Sequence, residues 1–218
     1  MNSTSCYSAH KASPVPELRM TRILPTLASM SLMLLAAALV LGLSMGDLYA
    51  EPFPTTETQS WATVHRLTGL MAALAVVLVE SIIVTYFIGT SRWCKEVVET
   101  YRLDPSDVRA SNRLKRRTFP WALLGIFAVI VIIALGGASD PATGQPNTKD
   151  WVDWHLWGSI GGIVLITWTY FAAWNNVVAN QAIISKLVAD VAKIRRDRAL
   201  DPPATAELAT PIGAPDPS

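Results

Sequence analysis

Apolar residues run almost unbroken through four stretches, 23–46, 62–89, 120–137 and 152–178, and polar or charged segments separate them. Each stretch is long enough to cross a hydrocarbon core of roughly 30 Å. Backbone amides in lipid must be satisfied within their own segment, so each stretch predicts a helix. Helical spacing continues past two of them, through Trp93, Val97, Val98 and Tyr101, and again through Ile183, Ile184, Leu187, Val188, Val191 and Ile194. The expected fold is all-α: a polytopic membrane protein whose four transmembrane helices form a bundle.

The pattern also repeats. Trp61-Ala-Thr-Val-His65 near the start of the second helix is matched by Trp151-Val-Asp-Trp-His155 near the start of the fourth. Arg22-Ile-Leu-Pro25 opens the first helix and Arg117-Thr-Phe-Pro120 the third, which gives a period of about 90 to 95 residues. Two tandem helical hairpins are expected: 22–101, with helices at about 23–46 and 62–89, and 117–199, with helices at about 120–137 and 152–178. A basic cytoplasmic linker, 102–116, joins them. Residues 1–21 and 200–218, rich in Ser, Pro, Ala and Asp, read as disordered cytoplasmic ends. Two copies with an even number of crossings share one orientation, so the axis relating them runs along the membrane normal. Thr85-Tyr86-Phe87 and Thr169-Tyr170-Phe171 sit 84 apart, which is out of step with that period.

Composition agrees with the bilayer. Of 218 residues 51% are hydrophobic and 16% charged, with a mean hydropathy of +0.32. Basic residues precede the first helix, crowd 92–117 and return after 185, whereas the loop 47–60 has none and the loop 138–150 only Lys149. Both termini are therefore expected in the cytoplasm of a multi-pass inner or plasma membrane protein. Leu48-Tyr-Ala50 resembles a signal-peptide cleavage site, but the apolar run before it is longer than a signal core, which favours a retained helix. Cys6 and Cys94 both map to the reducing side, so neither a disulfide framework nor a CxxC metal site is expected. Nucleotide, hydrolase and metalloprotease motifs are absent, and Arg113-Leu-Lys-Arg-Arg117 reads as an anchor on anionic lipid rather than a nucleic-acid patch.

The candidate chemistry lies in the duplicated histidines. At equal depth, about 6 Å inside the outer tryptophans, His65 and His155 can face one another across the axis. Small residues lie below them: Gly69, Ala72 and Ala73 in the second helix, and Gly158, Ser159 and Gly162 in the fourth. The Gly158/Gly162 pair allows close helix approach or room for a flat ligand. In this layout the chain resembles four-helix membrane b-type cytochromes. The resemblance implies one haem b near the outer face, with His65 and His155 as axial ligands of its iron and Arg66 beside a propionate. Families with two haems need two further histidines, and here the third histidine, His10, lies in the N-terminal tail. Interfacial solvation of His, Trp and Arg explains the same residues without any ligand.

Glu80, about 15 residues below His65, is the second candidate. A carboxyl group within an apolar span is functional by default, as a proton or quinone contact, and Tyr170, Thr167, Thr169 or Asn175 could partner it. Asn175, Asn176, Asn180 and Gln181 read as snorkelling toward water, and Trp168 and Trp174 as helix-packing residues. The leading expectation is a small redox protein exchanging electrons with quinol as an accessory respiratory subunit. Its rival is a non-catalytic scaffold or complex subunit, alone or as a homo-oligomer. A proton-coupled carrier using Glu80 comes third.

Overall fold

The computed structural model describes residues 20–50 and 54–198. Those residues form four long helices, α1 (Met20–Ser44), α2 (Thr56–Tyr101), α3 (Ser106–Ala138) and α4 (Val152–Asp197), with two single-turn 3-10 segments, Pro141–Thr143 and Thr148–Trp151, ahead of α4. All four helices are long and apolar enough to cross a membrane. Of the ends expected to be disordered, residues 1–19, with His10, and 200–218 lie outside the described residues, whereas residues 20 and 21 are helical and open α1.

Local chemistry sets the ends of the helices. Thr55 caps α2 by accepting from the Thr58 amide at 3.1 Å, and Glu57 complements the helix dipole in the first turn. Arg102 stops α2 in the left-handed region at φ 54°, where its amide bonds back to the Val98 carbonyl. Only a short turn follows. Asp104 accepts from the amide and hydroxyl of Ser106, and these bonds hold its carboxyl below the usual range. α3 therefore starts at Ser106, and most of the stretch expected as linker forms its first turns. Pro120 lies inside the helix with its ring exposed, as does Pro25 in α1.

Each helix packs against the next, α4 closes on α1, and α2 and α4 also touch across the bundle. Small and branched side chains line the seam, with Ala72, Val76, Ile83, Phe87, Val129, Ile166 and Val177 essentially buried. Large apolar residues such as Met33, Leu74, Phe127 and Val164 point outward instead. An exterior this apolar suits lipid rather than water. At the other end, the extensions of α2 and α4 pack with the start of α3 around Cys94, Val98 and Leu187, and Lys186 pairs with both oxygens of Asp107 at 3.0 and 2.9 Å.

Buried positions recur at fixed offsets. Leu24, Ala28, Ser31 and Leu35 in α1 are answered 94 residues later by Thr118, Ala122, Gly125 and Val129 in α3. Val76, Val79, Glu80, Ile83 and Phe87 in α2 are answered 90 residues later by Ile166, Thr169, Tyr170, Ala173 and Val177 in α4. The Thr-Tyr-Phe triplets do not share this register, since Phe87 is buried and Phe171 exposed.

Polar groups on one stripe of α4 reach all three other helices. Tyr170 meets Ser31 of α1 at 2.8 Å, Thr169 donates to Glu80 of α2 at 2.7 Å, and Asn176 donates to Thr118 of α3 at 2.9 Å. Asn180 donates to Tyr86 at 3.2 Å and Thr90 at 3.0 Å while accepting from Ser111 at 2.9 Å. Asn176 and Asn180 are buried, so snorkelling does not explain them; they sit where the continuing helices still enclose them. Asn175 is exposed and bonds to its own helix. Trp168 is also exposed, and its ring contacts are with Trp121 and Phe171 on the outer surface.

Candidate functional site

α2 and α4 carry their histidines one turn or more inside the helix, so both rings enter the bundle from opposite corners. The ring centres of His65 and His155 are 6.2 Å apart with the planes at 74°. Behind each ring stands the preceding helix. His65 Nδ1 lies 2.9 Å from the Ala38 carbonyl of α1. The backbone carbonyl of Ile132 in α3, 94 residues after Ala38, lies against the His155 ring, and Ser159 Oγ lies 3.5 Å from His155 Nδ1. A carbonyl accepts only from N–H, so the Ala38 contact places a proton on His65 Nδ1, the arrangement in which a neutral imidazole offers Nε2 as its ligand atom.

The rings fit because the facing turns carry no side chain. A Cβ added at Gly42 would lie 3.0 Å from His65 Cε1, and one at Gly136 would lie 3.1 Å from His155 Cε1. These two glycines are again 94 apart, four residues beyond the two carbonyls. The sequence reading missed both, although Leu41-Gly42 and Leu135-Gly136 were a visible signal of the same register.

A cavity of about 700 Å³ surrounds the two imidazoles. Its walls come in related pairs: Leu35 and Val129, Ala38 and Ile132, and Gly69 and Ser159. Gly69 faces open space. Gly158 and Gly162 do not face the cavity: a Cβ there would run into Leu135 and Ile132, so these glycines let α3 seat against α4. The expectation that they make room for a ligand is corrected accordingly, since a GxxxG spacing marks a close approach without saying which neighbour approaches.

Arg66 lines the cavity mouth, where it grips Asp140 with two nitrogens, Nη2 to Oδ1 at 2.8 Å and Nε to Oδ2 at 2.6 Å. Asp140 also accepts from the Ala142 amide, and Tyr49 Oη donates to the Ser139 carbonyl at 2.7 Å, which ties the outer loops together.

Glu80 is buried but lies outside this cavity, against Thr169 and Gly125. Its Oε2 has no partner among the described residues. Of its four expected partners, Thr169 is the one bonded. Tyr170 bonds Ser31 instead, and Thr167 and Asn175 bond their own helix backbone.

Two imidazoles gripping one metal from opposite sides, with nitrogen–metal bonds of about 2.0 Å and about 1.1 Å from nitrogen to ring centre, have ring centres about 6.2 Å apart. The observed 6.2 Å meets the distance part of that geometry. Among the described residues no group of three or more His, Cys, Asp or Glu gathers as a metal site. Two imidazoles alone suit a metal whose remaining donors come from its own macrocycle. No family model, curated protein or solved structure matches the chain.

Proposed function

We propose that this chain is a small redox protein of the inner or plasma membrane, built from two tandem hairpins of one duplicated unit, with both termini in the cytoplasm. One haem b is held between α2 and α4 near the non-cytoplasmic face by His65 and His155. One observation carries this reading: two imidazoles, one of them backed at Nδ1 by a carbonyl, have ring centres 6.2 Å apart inside a cavity large enough for a macrocycle. The repeated burial offsets support the duplication, and the four apolar helices and their apolar exterior support insertion.

The bound group would supply reversible one-electron chemistry at its iron. The protein's part is orientation and exclusion. Ala38 sets the His65 tautomer, Gly42 and Gly136 let the rings seat, and apolar walls keep water away. Held by both His65 and His155, the group would supply electron transfer. Quinol in the bilayer or a neighbouring subunit would be the exchange partner.

Absorbance decides the matter. Protein purified from haem-replete cells should show a Soret band that sharpens and shifts on dithionite reduction, and both His65→Ala and His155→Ala should abolish the six-coordinate spectrum. A colourless wild-type preparation would sink the cytochrome.

The scaffold reading draws support from the α4 stripe, whose hydrogen bonds to three helices specify a bundle without needing a ligand. It predicts that His65→Ala and His155→Ala change nothing spectroscopic and little in stability.

A further inference from the structure

Of the 18 Lys and Arg residues, all but Arg66 and Lys149 lie at or before the start of α1, between residues 92 and 117, or after residue 185. Those two stand at the opposite end of the bundle, and both line the mouth of the histidine cavity. Topology gives no reason for cations there, since the translocated side is where basic residues are avoided. Three carboxylates share the mouth: Asp47, which accepts from the Tyr49 amide at 2.8 Å, Asp153, and Asp140. The mouth is therefore no general trap for anions, and it would accept a carboxylate only where a donor is aimed. Arg66 already displays such a grip in its two-pronged hold on Asp140, at 2.8 and 2.6 Å. Lys149 is exposed and has no ion pair among the described residues.

We infer that the cavity's ligand is a free-acid macrocycle with two carboxylates, one received by Arg66 in exchange for Asp140 and the other by Lys149. This rests on the haem reading and adds Lys149 as the reader of the second carboxylate and Asp140 as the group that Arg66 gives up. Neither carboxylate enters the bundle; both stay at the aqueous mouth, where an ion pair costs little desolvation.

The test uses the full-length chain in lipid nanodiscs, depleted of haem and titrated with ferric protoporphyrin IX or with its dimethyl ester, followed at the Soret band. The wild type should bind the free acid about tenfold or more tightly than the ester. Lys149→Gln and Arg66→Gln should each cut that preference about three- to tenfold, while Lys149→Arg should retain it. Equal affinity for the two compounds, or an unchanged preference in Lys149→Gln, overturns the carboxylate assignment and leaves the histidine pair intact. No Soret shift with either compound overturns both.

Discussion

His65 and His155 are positioned from behind. Each ring rests on a glycine and meets a carbonyl four residues earlier in the same neighbouring helix, which for His65 receives the Nδ1 proton. Gly42→Val or Gly136→Val should push the ring off that seat and weaken haem binding by about 10- to 100-fold, the usual effect of losing a supporting group, with helical circular dichroism unchanged. A Soret titration checks it, and undiminished binding would show that the glycines do not seat the rings. At Glu80 the expectation differs. Glu80→Gln keeps an acceptor for Thr169 and should move stability by less than about 1 kcal/mol. Gly125→Val must overlap the buried carboxyl and should cost about 1–3 kcal/mol, read from thermal unfolding in mild detergent.

Among the elements, α4 holds the bundle to one arrangement through its polar stripe. Asn180 bonds three side chains on two helices, so Asn180→Ala should cost about 1–2 kcal/mol, whereas Asn175→Ala, which touches only its own backbone, should cost almost nothing. Equal effects on unfolding would refute the stripe's role. The four spans were legible in the sequence because lipid leaves helices as the one way to satisfy the backbone of an apolar run. The first turns of α3 were not, because their arginines and serines carry no apolar signal and a proline at 120 reads as a start; yet Pro120, with its ring facing outward, is accommodated inside the helix. The histidines were legible because they occur twice. Gly158 and Gly162 were placed on the wrong neighbour because helical spacing reports a small face and not its partner. Asn176 and Asn180 misled because distance from the membrane edge is a poor guide to burial when α2 and α4 run on together.

Over the whole molecule, charge and shape divide the two ends. Basic residues cluster where the long helices project, and the cavity opens at the other end beneath the loops joined by Tyr49 and Asp140. In a chain with Cys6 and Cys94 replaced by serine, a cysteine at Gln145 should react with a membrane-impermeant maleimide in intact cells, and one at Arg109 should not. The reverse pattern would invert the proposed orientation. The offsets of 94 and 90 also bear on ancestry. In the proposed duplication each hairpin owns one imidazole, a carbonyl behind it and the bare turn that receives it. On that reading a single ancestral hairpin completed the pair by meeting its twin around a dyad, and Arg66 and Lys149 each belong to one half alone.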